Sequence, residues 1–480
     1  MPAARRPVRW CAVVLALSLT ACALQGPAHV PLPPTPPQAL GLGEQATTQV
    51  AAQWWLSWGD PALSALIARA LEGHPGLALA RARVERAQAL AGAREAVARP
   101  QVTLGADLAA QRYSENGMVP ASVAGDIRST GNLRAGVSWS PDLFGQLAID
   151  QASALGQTRA AQADAALAGT GLAAQVARSY VALARLLAQH AIAVRMQERH
   201  RQVVALLRQR VEAGLDNQSD LAQADAARLE AATQLEVIDE QAGLVRRQLA
   251  VLSGQAPDAL DALAPVLQKL PLDAIPHGLG TDLLGRRADV VAARWRVEAA
   301  TQDVALAQTQ FYPNLNLGAF VGLQALGLGR LLQAGSLEFG VAPALRLPLF
   351  DGGRLRQQLG VRQADLDAAI AQYNSSLLEA VREAGDALQS ESSLLRQQQE
   401  QAATVQAAER ILALARQRFA AGLGNRLAVL QAEAPVLEQH RKSIELRARQ
   451  LDNRVVLIRA LGGGWSDDTA AASTAAKAAP

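Results

Sequence analysis

The residues of this chain that could do covalent or metal chemistry are few, and they are badly placed for catalysis. Its 480 residues include two cysteines and six histidines. His29, His74, His190, His200, His277 and His440 are scattered, and no pair has metal-ligand spacing. There is no Gly-rich phosphate loop and no Ser/His/Asp signature. No catalytic residue, metal or cofactor is therefore expected. Cys11 and Cys22 both stand near the start, so no disulfide framework exists downstream. Two kinds of residue remain chemically distinctive. One is Cys22, at the end of Leu19-Thr-Ala-Cys22. The other is a pair of glycine turns, Gly214-Leu215 with Asp216 and Asp220 beside it, and Gly422-Leu423 with Arg426.

Cys22 follows an export signal. Arg5, Arg6 and Arg9 form its charged start, and residues 11–19 form an apolar stretch too short to stay as a membrane helix. Leu19-Thr-Ala-Cys22 resembles the lipobox of bacterial lipoproteins. That resemblance implies removal of residues 1–21 and a Cys22 carrying a thioether-linked diacylglycerol and an amide-linked acyl chain, a stable anchor. Ala23, rather than Asp, suits passage to the outer membrane. An ordinary signal peptide with a chance cysteine is the alternative. Residues 22–52 then form a tether, and six prolines between 25 and 38 make it extended rather than helical.

The glycine turns need long elements to position them. The run Arg416-Gln-Arg-Phe-Ala-Ala-Gly-Leu-Gly-Asn-Arg-Leu-Ala-Val-Leu-Gln-Ala432 interrupts a helical pattern that is almost unpunctuated on both sides. Upstream, residues 361–421 hold only Gly385 and no proline; the arm would reach about 90 Å. Downstream, Leu430, Leu437, Ile444, Leu451 and Ile458 fall every seventh residue, the seam of a helix that supercoils on partners. Pro435 lies inside this arm and should kink it. The same hairpin occurs 208 positions earlier. Arg210, Gly214, Leu215, Asn217, Gln223 and Ala224 match Arg418, Gly422, Leu423, Asn425, Gln431 and Ala432.

Between these helices the period changes from that of a helix to two. Val102, Leu104, Ala106, Leu108 and Ala110 alternate with polar or small residues, as do Leu133, Ala135, Val137 and Trp139. Each run has the length and pattern of a transmembrane strand, although one hairpin alone favours the reading of a soluble half-buried pair. A second copy changes the weighting. Residues 74–108 align without gaps on 287–321, and Leu315, Leu317, Ala319, Val321 and Leu337, Phe339, Val341, Pro343, Leu345 alternate again. The chain therefore reads as one unit duplicated: helix, strand, strand, very long helix, tip, helix. The repeats are 53–253 and 286–461, joined by a Pro-containing link at 254–285 and followed by a Gly/Ala/Ser-rich tail at 462–480, expected to be disordered.

Composition narrows the classes further. Half the residues are apolar but only 4% aromatic, which suits closely packed helices. The formal charge of +3 is carried by the three N-terminal arginines, so the basic balance gives no support for nucleic-acid binding. Four strands cannot close a barrel, and in lipid an open edge costs several kcal/mol for each unsatisfied backbone group. Other copies must complete them.

At this point the chain resembles the outer-membrane efflux proteins, the TolC-type exit ducts, and is similar to their lipid-anchored branch, the outer-membrane factors of resistance-nodulation-division pumps. The resemblance rests on the duplication, on Trp54-Trp55 with Asp60-Pro61, on Gly285-Arg-Arg-Ala-Asp289, on Phe311-Tyr-Pro-Asn314 and on Pro348-Leu-Phe-Asp-Gly-Gly353, and covers residues 53–465. It implies a mainly α protein with a small β part, forming a homotrimeric 12-strand β-barrel continued by an α-helical barrel. It also implies a periplasmic adaptor, an inner-membrane pump and outer-membrane lipid as partners, and a passive export duct in the cell outer membrane. The tips Gly214, Leu215, Gly422 and Leu423 would meet the adaptor; folding of both leucines back onto their own helices is the alternative. TolC-type ducts narrow at acidic rings on the second hairpin, where this chain has Ala428 and Gln431. Asp216, Asp220 and Arg426 either gate the entrance by ion pairing or decorate a solvated tip. An exit duct for type I protein secretion and a lipid-anchored periplasmic coiled-coil scaffold are the competing functions; the scaffold would leave the four strands unexplained.

Overall fold

The computed structural model describes residues 29–40, 50–272 and 283–465. The expected signal peptide, Cys22, most of the tether, part of the link and residues 466–480 lie outside them. The chain divides into two compact units. One contains Val84–Ala161 and Ala293–Tyr373, and the other contains Thr35–Arg83, Gln162–Ala292 and Asn374–Pro480.

The elements repeat almost to the residue. Helices α1 (Pro61–Gly73) and α2 (Pro75–Val97) lead to strands β1 (Gln101–Arg112) and β2 (Ile127–Trp139). Helix α3 (Gln146–Glu212) and helix α4 (Gln218–Leu252) follow. The second copy runs α5 (Ala288–Thr309), β3 (Asn314–Leu326), β4 (Leu337–Arg346), α6 (Arg354–Ala420) and α7 (Arg426–Ala460). Helices α3 and α6 each have 67 residues, about 100 Å at 1.5 Å per residue. Their starts and ends differ by the same 208 positions as the tips. Helix α7 runs unbroken through Pro435, which offers no N–H to the helix ladder.

Within the first unit, α3 and α5 approach closely because small residues face each other. A Cβ at Gly156 would stand 3.1 Å from that of Ala299, and Ser153 Oγ donates to Asp303 Oδ1 at 2.6 Å. In the second unit the core forms around Trp54, Trp55 and Trp58, Leu63 and Ile67 of α1, and Leu183 of α3. Burying residues such as Leu63 and Ile67 is worth about 1.5–3 kcal/mol each. Asp60 starts α1 as expected, accepting from the amides of Ala62 and Leu63. Its second oxygen accepts from the Tyr180 hydroxyl at 2.7 Å, and burial, together with this bond, pushes the phenol far above its ordinary range.

Two stretches differ from the sequence expectation. Residues 37–40 of the Pro-rich segment make one 3-10 turn rather than extended chain. Residues 462–465, expected in the tail, close the end of α7. Gly462 and Gly464 have φ of 101° and 81°, and Cβ atoms there would strike the backbones of Arg286 and Ala51.

Candidate functional site: a two-faced sheet and two hairpin tips

The four strands form one antiparallel sheet in the order β1-β2-β3-β4. Its register decides which side chains share a face, because residues directly opposite each other in antiparallel strands point the same way. Val102 lies opposite Val137, Val137 opposite Ala319, and Ala319 opposite Val341. The row Leu104, Ala135, Val321, Phe339 is parallel to it. All of these belong to one apolar face. Leu104 is 75% exposed, Phe339 78% and Val341 81%. So large a contiguous apolar surface marks a contact with lipid or protein.

The other face is polar and small. Gly105, Arg134, Gly322 and Glu338 form one row across it. Because Gly322 has no side chain, Arg134 reaches over it to Glu338, with Nη2 at 2.6 Å and Nε at 3.1 Å from Oε1. The same guanidinium lies 4.1 Å from the centre of the Phe320 ring, and that ring covers Gly340. Strands β1 and β4 are the two edges, and each is paired on one side only.

The second region is the pair of tips. Gly214 and Gly422 have φ of 72° and 69°, the left-handed region that only glycine enters cheaply. Leu215 N donates to Arg210 O and Leu423 N to Arg418 O, both at 2.8 Å, which closes each helix with the same wide turn. Asn217 then caps α4 by accepting from Asp220 N at 2.9 Å, and Asn425 caps α7 by accepting from Ala428 N at 2.8 Å. Leu215 and Leu423 are 66% and 72% exposed, so neither folds back onto its helix within this chain.

The three candidate gate residues do not meet one another. Asp216 is held by Arg210 of its own turn, at 2.6 Å and 3.1 Å, and this donor keeps its carboxyl below the usual carboxylate range. Arg426 donates to Gln202 of α3 at 3.1 Å. Asp220 is exposed, and its backbone amide serves the Asn217 cap.

Sequence reasoning missed the buried charges. Arg287 is 7% exposed and donates to Asp289, Glu383 and the Ala460 carbonyl. Burial pulls its pKa down, but the two carboxylates outweigh that and hold it above the ordinary value. Glu391, 1% exposed, accepts from Gln450, Asn453 and Arg454. The partners lie 59 or more positions away along the chain, apart from Asp289, so no local pattern announces them.

Comparison with known proteins agrees with these features. The model of the outer membrane efflux protein family matches residues 66–255 and 279–463. The multidrug resistance outer membrane protein MdtP of Escherichia coli (strain K12) is 33% identical over 430 residues, which is 86% of each chain. MdtQ of Escherichia coli O157:H7, a multidrug resistance outer membrane protein, is 30% identical over 422 residues, covering 86% of this chain and 88% of that one. Among solved structures, the outer membrane protein VceC from Vibrio cholerae superposes with a TM-score of 0.80 at 34% identity, over 86% of this chain and 99% of VceC.

Proposed function

The chain belongs to the outer membrane efflux protein family, and from that premise we propose that three copies close the sheet into a twelve-strand barrel and pass small organic molecules outward. It is an outer-membrane channel subunit of a tripartite efflux system. The observation that carries the trimer is the sheet: one face predominantly apolar, and two edge strands each paired on one side only. In lipid those edges cost several kcal/mol per unpaired group, and β1 of one copy against β4 of the next removes both. The apolar face then meets hydrocarbon, while Arg134, Glu338 and Phe320 line the duct. The long helices, two per repeat around each tip, supply the helical barrel.

The remaining parts of the reading follow from chemistry on single residues. Acyl chains on Cys22 anchor the tether beginning at residue 22. The two repeats, 53–253 and 286–461, flank the link at 254–285. The relatives named for multidrug resistance support small-molecule cargo. The channel is a passive duct, and its energy comes from an inner-membrane pump reached through a periplasmic adaptor. Leu215 and Leu423, exposed beside Gly214 and Gly422, are the contacts for that adaptor. Between copies, Arg426 and Asp220 gate the entrance, with Asp216 held by Arg210.

Two substitutions test the docking role. Leu423→Asp and Gly422→Asp should leave a detergent-stable trimer and abolish both drug export and adaptor cross-linking. Full export with undiminished cross-links in both variants would show that the turns only close hairpins.

A further inference from the structure

The apolar face of the sheet is bare except at one place. Gly131 lies opposite Ala325, on the same face as Leu108 and Leu133, and Gly131 and Ala325 are buried. Their cover is the β3–β4 turn, residues 327–336. A Cβ on Gly131 would stand 2.9 Å from Leu331 Cδ2 and 3.2 Å from Leu328 Cδ2. The turn is fixed in that position. Gly327 N donates to Ser129 O at 2.6 Å, and Ser336 Oγ donates to the Arg330 carbonyl at 2.7 Å. It therefore folds down over the apolar face and adds leucines to it.

What it leaves outside is aliphatic and cationic. Leu332 is 83% exposed and Leu328 48%. Arg330 is exposed, and its guanidinium has no partner among the described residues. The β1–β2 turn differs in its charges. There Arg112 pairs with Glu115 and Arg128 with Asp126, and the charges are used up locally.

We propose that the β3–β4 turn seats in the outer leaflet of the membrane, with Leu328, Leu331 and Leu332 among acyl chains and Arg330 on a headgroup phosphate. The occupant follows from continuity. The leucines extend the face that an outer-membrane channel turns to hydrocarbon, at the strand ends away from those that lead into α2 and α3. An arginine beside such an apolar patch matches an anionic lipid surface. The inference rests on the outer-membrane placement of the sheet and is independent of the adaptor and cargo.

The test is site-specific fluorescence in full-length protein reconstituted in vesicles of lipid A or phosphatidylglycerol. Environment-sensitive labels are placed at Leu332→Cys, with Leu328→Cys as a second probe of the turn. Met118→Cys reports the other turn and Val341→Cys the strand face. Labels at 332, 328 and 341 should be quenched by brominated acyl chains and shielded from iodide, and the label at 118 should show the reverse. Turn labels that behave like 118 while 341 stays lipid-quenched would overturn the proposal alone. Iodide quenching at 341 as well would sink the channel reading with it. Arg330→Glu should lower lipid quenching at 332 at least twofold. A loss in lipid A alone identifies that headgroup, a loss in both lipids identifies phosphate in general, and no loss in either removes Arg330 from the contact.

Discussion

The two hairpin tips have the same backbone and different charge chemistry. In both, a left-handed glycine closes the long helix, a leucine projects outward, and an asparagine caps the returning helix. In the first tip Arg210 clamps Asp216. In the second the matching positions are Arg418 and Gly424, so the clamp is absent, and Arg418 makes no ion pair among the described residues. A similar divergence occurs where each copy's α2-type helix begins. His74 merely accepts from Gly76 N in the first copy, whereas Arg287 in the second is buried against two carboxylates and a carbonyl. Duplication has kept what shapes the backbone and let the ion pairs differ. Under the proposed docking role, the shared features would shape a common contact surface and the differing charges would distinguish the two hairpins.

The largest effect should come from the helix starts. Arg287→Ala leaves Asp289 without its cation and Glu383 with Arg459 alone, and breaking a buried pair in this way costs about 3–5 kcal/mol. The trimer should unfold at clearly lower temperature, followed by far-UV circular dichroism. His74→Ala removes only a local amide contact near a helix start and should stay within about 1 kcal/mol of the parent. Equal losses in the two variants would mean that the copies use this slot alike.

The caps come next. Asn217→Ala and Asn425→Ala each remove one acceptor from a helix N-terminus, worth about 0.5–2 kcal/mol. Because the geometry is the same in both tips, the two losses should match within about 0.5 kcal/mol, read as amide-exchange protection of the first turns of α4 and α7. A cap that matters at one tip only would contradict the backbone equivalence.

How much of this was legible beforehand depended on whether the determinants were local. The alternation of Val102 to Ala110 announced β1, and the glycine turns with their asparagine caps announced the tips, because period and positive φ are written in neighbouring residues. Strand β2 was legible only from Leu133 onward. Its first six residues carry Gly131 where a large apolar side chain would keep the pattern, and that position is filled from Leu328 and Leu331, almost 200 residues away. The Arg287–Glu383 and Glu391 clusters were invisible for the same reason. The Arg210–Asp216 clamp was hidden by its geometry rather than by distance: six positions apart on a helix would not face each other, and the left-handed Gly214 brings them together.

That clamp carries the smallest and most discriminating prediction. Asp216 has a lowered pKa in the folded chain because it accepts from Arg210. A carboxylate with a depressed folded-state pKa stabilises fully above its unfolded value, about 4, and loses that contribution as pH falls through the lower folded value. The pair is solvent-accessible, so its effect is local and screened by salt. Amide exchange across residues 208–224, corrected for intrinsic rates, should therefore show loosening below about pH 4 that is absent from residues 416–432. Asp216→Asn should abolish the step. Gly424→Asp should create it in the second tip, since a Cβ there meets only ordinary contacts with Arg418 and Phe419 and no positive φ stands in the way. If Gly424→Asp brought no acid-sensitive step, the clamp would depend on more of the first tip than its turn. The two hairpins would then differ in backbone as well as charge.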